Sequence, residues 1–174
     1  MPVIADFSAV IAEAARIRRF AGDLETVRKR TVGTLTRRLP VIARRDIQEE
    51  YHLPAARITA GLMTRSAGNA VELTGSKRGI GFVAYGARAS RKNGVMVTLL
   101  HAKGSDRWPD AFIATGRGGN VQAFVRKGHA RLPIKTLYGS SIATALRKPD
   151  RQQRITDAAQ DVLRGEIDRL TRAR

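Results

Sequence analysis

The chain has no cysteine, few aromatics and fewer than half as many acidic as basic residues, and each shortage removes a class of explanation. Without cysteine there are no disulfide staples and no thiolate metal site, which suits assembly in a reducing cytoplasm. Aromatics make up 5% of the residues, so the core is expected to be aliphatic, built from Ile, Leu, Val and Ala. No apolar run approaches the roughly 20 residues needed to span a bilayer. The start, Met1-Pro-Val-Ile-Ala-Asp6, lacks the basic opening and long apolar stretch of a signal peptide. The expectation is a protein that is soluble and intracellular when made. At 174 residues, 43% of them hydrophobic, the chain is long enough for one real core and short for two. One domain over residues 1–174 is therefore expected.

What is present in excess is positive charge. The 32 Lys and Arg against 15 Asp and Glu give a formal net charge of +17. Such a balance makes a compact monomer repel itself and points to an anionic partner. Nucleic acid comes first, ahead of an acidic protein surface or an anionic lipid. Arginine outnumbers lysine, which suits planar, bidentate contacts to phosphate or carboxylate. A codon bias of a high-GC genome would explain arginine over lysine, but not the shortage of acids.

The hydrophobic period divides the chain into three. Residues 1–60 read as helical: Phe7, Val10, Ala14, Ile17, Ala21 and Leu24 step at three and four, with Asp6 as N-cap. Gly22 is expected to divide this region, Asp23 capping a second segment with Leu24, Val27, Thr31, Leu35, Leu39 and Ile42 on one face. Its opposite face carries Arg28, Lys29, Arg30, Arg37, Arg38, Arg44 and Arg45. Pro40 removes a backbone donor inside the pattern, so a kink or break is expected near Arg38. Pro54 opens a short helix to about Thr59.

Residues 70–137 change to a period of two. Val71–Leu73, Gly79–Gly86, Val95–Leu100, Asp110–Thr115 and Val121–Arg126 read as strands. Asn93-Gly94 is a hairpin signal at the end of the basic connector Arg88–Lys92, and Lys103–Arg107 reads as a polar loop. Residues 140–172 return to helix, with Ser140 or Ser141 as one cap, Pro149 as a stop and Asp150 as the next cap. The expected class is α+β: N-terminal helices, a central mainly antiparallel sheet of about five short strands, and C-terminal helices.

No catalytic constellation meets its own spacing. Gly79, Gly81 and Gly86 fall inside a strand pattern, not between a strand and a helix, so they read as bulge or turn glycines, not a phosphate loop. His52, His101 and His129 lie far apart in sequence, and zinc would want a closely spaced pair. No Gly-x-Ser-x-Gly elbow is present, and no carboxylate pair lies in an apolar setting. The expectation is a non-enzyme with no cofactor and no metal. Between Lys77 and Arg131 only Asp106 and Asp110 are acidic. Lys77, Arg78, Arg88, Arg91, Lys92, Arg126, Lys127 and Arg131 are the candidate contacts to a DNA backbone, because charge on short loops meets successive phosphates without strain. The Pro54 turn disfavours a helix-turn-helix near Ile47–Thr59, so base-specific reading is not expected.

Several ordered motifs from about Asp23 onward carry a family likeness. They are Ile47-Gln-Glu-Glu-Tyr51, Ala55-Ala-Arg-Ile58, Trp108-Pro-Asp-Ala-Phe-Ile-Ala114, Ala123-Phe-Val-Arg126 and Arg131-Leu-Pro-Ile-Lys-Thr-Leu-Tyr-Gly139. In their order and spacing the chain resembles the phage minor tail protein Z family, the lambda-type tail completion proteins. The resemblance implies a virion component at the head-proximal end of a long tail, assembled in the host cytoplasm. It also implies a ring, commonly a hexamer, around the channel that double-stranded DNA passes, with the tail terminator and head connector as partners and no membrane. The alternative resting on charge alone is a generic basic protein that binds double-stranded nucleic acid without sequence preference.

Overall fold

The computed structural model describes residues 8–67, 70–116, 118–128 and 130–172. Helix α1 (Ser8–Glu50) is followed by the short helix α2 (Ala55–Ala60). Strands β1 (Leu62–Ala67), β2 (Ala70–Gly75), β3 (Ile80–Gly81), β4 (Arg88–Ser90) and β5 (Gly94–Val97) come next. Then follow β6 (Asp106–Trp108), β7 (Ala111–Thr115), β8 (Val121–Arg126), β9 (Ile134–Thr136) and β10 (Tyr138–Gly139). Helices α3 (Ile142–Leu146) and α4 (Pro149–Arg172) close the chain. The class is α+β, as the change of hydrophobic period implies.

Helix α1 runs unbroken through both Gly22 and Pro40, so the expected division at Gly22 and break near Arg38 are corrected. Pro40 still forfeits a hydrogen bond at a cost of about 3 kcal/mol. Burial of Leu35, Leu39, Ala43 and Ile47 on the inner face outweighs that, at about 1.5–3 kcal/mol for each large aliphatic side chain. The proposed cap Asp6 lies outside the described residues. Along the inner face α4 packs antiparallel: Asp46 meets Arg151, and Thr34 meets Glu166.

Among the described residues the expected single sheet is instead four small antiparallel ones: β1–β2, β3–β10, β4–β5–β6 and β7–β8–β9. Two features interrupt a longer ladder. Phe82–Tyr85 forms a 3-10 turn where a strand was expected, because its two buried aromatics are three residues apart and so share one side of the turn. Pro109 interrupts the passage from β6 to β7, where it has no N–H to offer a ladder. Strands β1, β4, β6, β9 and β10 were not expected: the connector Arg88–Lys92 begins as a strand, and Lys103–Arg107 is partly strand, not loop.

The main core joins Ile47, Tyr51, Leu53 and Ile58 of the helical layer to Phe82, Tyr85, Val95, Val97, Ala123 and Leu137 of the sheets. Tyr85 donates its hydroxyl to the Ser140 carbonyl at 2.9 Å, and burial pushes its phenol up to about 12. It stays a neutral donor at ordinary pH. The strand β10 passes so close over that ring that Gly139 has no room for a side chain. A smaller core of Leu39, Ala43 and Ile155 seals α1 against α4.

Ser141, one of the two expected caps, accepts from the Thr144 amide at 3.1 Å and starts α3. Pro149 begins α4 and does not merely stop α3, and Asp150 lies in the first turn, not at the cap.

Candidate nucleic-acid interface

The β4–β5 hairpin is positioned by its inner face. Val95 and Val97 are buried, so Met96 between them points outward and is 37% exposed. Arg88 and Arg107 are the cross-strand neighbours of Met96 on that outer face. Arg91 and Lys92 occupy the turn, and Arg107 donates to the Lys92 carbonyl at 3.3 Å. Gly94 enters β5 at φ +68, and a β-carbon there would collide with the Trp108 and Pro109 carbonyls. The hairpin therefore lies directly against the link between β6 and β7. Trp108 is held in turn by an edge-to-face contact with Phe82, ring centroids 5.4 Å apart.

The β8–β9 hairpin supplies the second group. Ala111 at the start of β7 pairs with Val125, next to Arg126 at the end of β8. The Arg126 guanidinium lies 4.9 Å from the Phe112 ring centroid, and Phe112 in turn neighbours Phe124. The Lys127 amide donates to the Pro133 carbonyl at 3.1 Å, closing a loop on which Lys127 and Arg131 are exposed. Lys135 on β9 adds a further exposed cation opposite Val125. Because Trp108 pairs with Val95 while Ala111 pairs with Val125, both basic turns flank the same three-residue link, Trp108–Asp110.

Six of the eight sequence candidates thus fall into one region: Arg88, Arg91, Lys92, Arg126, Lys127 and Arg131. Lys77 and Arg78 do not join them. They lie between β2 and β3, where Arg78 lines an open cleft of about 610 Å³ with Arg57, Tyr138 and Gln122. Asn120 and Val121 of the β7–β8 turn also line that cleft, so it lies at the end of β8 away from Arg126. Arg57, Arg107 and Lys135 were missed: strand register places Arg107 and Lys135 beside the hairpin cations, and Arg57 lines the cleft with Arg78.

None of the eight candidates makes an ion pair among the described residues. The helices differ. Arg151, with a side chain 1% exposed, donates to Asp46 at 2.5 Å, to Glu50 at 2.8 Å and to the Ala145 carbonyl at 2.8 Å. Arg154 takes the other oxygen of Asp46 at 2.6 Å, and Lys148 pairs with Glu50. The Arg154 hydrogen bond, with Arg151 behind it, holds the Asp46 carboxyl below its usual range. For Glu50 burial pushes upward, and the hydrogen bonds from Lys148 and Arg151 prevail to lower it.

His52 and His101, distant in sequence, meet edge to face at 5.4 Å through the Tyr51–Leu100 bridge. The His52 Nδ1 lies 3.0 Å from the Tyr85 carbonyl, so that nitrogen carries the hydrogen. No cluster of three or more His, Cys, Asp or Glu suited to a metal occurs among the described residues, and His129 is outside them. No helix among the described residues is long and apolar enough to cross a membrane.

The geometry defines a class before any kinship: an α+β protein presenting unpaired cations on two hairpins beside one link. No family model, curated protein or solved structure matches the chain.

Proposed function

We propose that this chain is a structural head–tail joining protein of a long-tailed phage, one subunit of a ring around the DNA channel at the head-proximal end of the tail. One observation carries the reading. The Trp108–Gly139 block, on which the likeness to the tail completion family is strongest, is also the scaffold of both basic hairpins. Its link lies against the hairpin of Arg88, Arg91 and Lys92, its β8 and loop carry Arg126, Lys127 and Arg131, and none of these six cations makes an ion pair among the described residues.

Such cations suit a duplex that must move. Each phosphate contact is weak and carries no sequence information, so the chain can grip DNA without stopping it at one site. Short hairpins offer no long element to enter a groove, which favours backbone contact over base reading. The partners of this reading are further copies of the chain, the tail terminator, the head connector and the passing duplex.

The charge by itself supports a second reading, a host protein that coats double-stranded nucleic acid. A particle reconstruction separates the two. The chain should appear as a ring beneath the head, and its absence from purified particles would sink the tail reading. A salt titration adds a quantitative arm. Replacing Arg88, Arg91 and Lys92 with Ala should leave stability within about 0.5 kcal/mol. The same variant should lower the slope of log affinity against log salt by about 2–3. An unfolded triple variant would make these side chains structural, and an unchanged slope would remove the hairpin from the interface. Tight binding by the isolated monomer favours the coating protein; binding that strengthens only on assembly favours the ring.

A further inference from the structure

The cleft of about 610 Å³ at the end of β8 away from Arg126 has walls from parts of the chain far apart in sequence. Arg57 stands on α2, Arg78 and Gly79 lie between β2 and β3, Asn120 and Val121 lie at the β7–β8 turn, and Tyr138 is on β10. Main-chain hydrogen bonds hold these walls together. The Ser76 amide donates to the Gly61 carbonyl at 2.8 Å, and the Ala143 amide donates to the Ser76 carbonyl at 3.1 Å. Gly79 admits the base of Tyr138, since a β-carbon there would come within 3.0 Å of the Tyr138 Cβ. The site is thus set by the fold before anything binds.

Its rim is basic and its floor is apolar. Arg57 and Arg78 are exposed, and neither makes an ion pair among the described residues. No acid lines the cleft. Between Glu50 and Asp106 the sequence holds one acid, Glu72, and the β1–β2 register sets it opposite Arg65. The half-buried Ile80 and Val83 and the buried Ile142 form the floor, with Val121 and Tyr138 exposed at the edge. The Gln122 carboxamide lies over Gly81, its Oε1 shielded and without a donor among the described residues. A shielded acceptor without a donor is unfavourable, and a turn of this carboxamide toward the cleft would offer it to the main chain of a bound segment.

We propose that this cleft docks an extended segment of a partner protein in which carboxylates flank an aliphatic side chain. The aliphatic group lies on Ile80 and Val83, and the carboxylates take the guanidiniums of Arg57 and Arg78. Charge is complementary there, and the forked N–H groups of arginine match a carboxylate better than an ammonium would. The volume falls within the roughly 300–1,000 Å³ of sites that enclose a ligand. A duplex is too broad to enter and would touch only the rim. Single-stranded nucleic acid would find one ring among the lining residues, that of Tyr138, and so no platform for successive bases. A second copy is disfavoured as well, because it brings its own net charge of +17 to a basic rim. This site stands without the tail reading: it faces a protein at the end of β8 opposite the Arg126 loop.

Fluorescence anisotropy on the full chain tests it, with dye-labelled Asp-Glu-Leu-Glu-Asp and its neutral counterpart Asn-Gln-Leu-Gln-Asn as probes. At about 0.1 M salt the acidic peptide should bind with a Kd below about 1 mM, and the neutral one at least about tenfold more weakly. Arg57→Gln and Arg78→Gln should each weaken the acidic peptide about tenfold, the scale of one lost charge-assisted hydrogen bond. Replacing Arg88, Arg91 and Lys92 with Ala should leave its affinity within about twofold, because those charges are screened from the cleft. The hairpin variant removes three charges and each cleft variant only one, so attraction to net charge alone would give the reverse order. Thermal unfolding checks the fold. Arg57→Lys and Arg78→Lys, which keep the charge and lose the fork, replace any Gln variant that does not fold and should weaken the peptide too. The proposal is overturned if the acidic peptide binds no better than the neutral one, or if the hairpin variant weakens it as much as the cleft variants do. Tighter binding of hexadeoxythymidylate than of the peptide, lost in the same cleft variants, overturns it as well and gives the cleft to nucleic acid.

Discussion

At the junction of α1 and α4, Arg151 is enclosed by Asp46, Glu50 and the Ala145 carbonyl, whereas the arginines of the two hairpins stand in solvent without a carboxylate in reach. The residue type is the same and the role is not. A buried guanidinium is tolerated only when its donors are satisfied, so Arg151 makes α4 dependent on α1. An exposed, unpaired guanidinium gives almost nothing to folding and keeps its charge available. Net charge alone could not separate these populations. Pairing does, and it directs attention to the hairpins.

The comparison breaks most sharply at Arg151. Arg151→Ala leaves Asp46 and Glu50 short of a partner in a half-buried site and should cost about 3–5 kcal/mol in a urea unfolding experiment. A loss below about 1 kcal/mol would mean that the buried arginine is not what fastens the helices.

Acid should act on the same junction. The Asp46 and Glu50 carboxyls are held below their ordinary values, so the folded state binds fewer protons than the unfolded chain. Their contribution is complete above the ordinary carboxylate range and fades as pH falls through the lowered folded values. The urea midpoint should therefore stay level from neutrality to about pH 5 and drop below about pH 4. A midpoint that is flat down to about pH 3 would contradict this origin. Duplex binding by the hairpins should show no such acid dependence from Asp46 or Glu50.

The smallest effect sharpens the other side. Arg126→Ala removes the contact with Phe112 and should cost only about 0.5–1 kcal/mol. It should also reduce the salt slope of duplex binding by about 1. A larger stability loss without a change of slope would move Arg126 into the structural group.

What the amino-acid order revealed depended on whether the signal was local. The stripe through Leu35, Leu39 and Ile42, the alternation in β5, the short apolar runs of β7 and β8, and the Ser141 cap are all written within a few residues. The edge strands were hidden because they carry no alternation: Asp106–Trp108 is exposed throughout, and Pro133 precedes β9. The Phe82–Tyr85 turn was misread because apolar residues bounded by glycines also describe a strand. Arg151 gave no local sign, since Asp46 and Glu50 lie about a hundred residues away and only packing brings them together. For the same reason Arg107 and Lys135 joined the candidate interface only once strand register placed them.

Helix α1 passes Gly22 and Pro40 without interruption, and that continuity has a geometric consequence. Everything along it shares one rotational phase, like marks on a single shaft. Removing one residue between Arg37 and Asp46 would swing the upstream arginines through about 100° relative to the Arg151 clasp. Removing seven would shift them by only about 20°. The bearing of the arginine face of α1 is thus gauged from the buried end of the helix, and only a change of length near a whole number of turns keeps the two in phase.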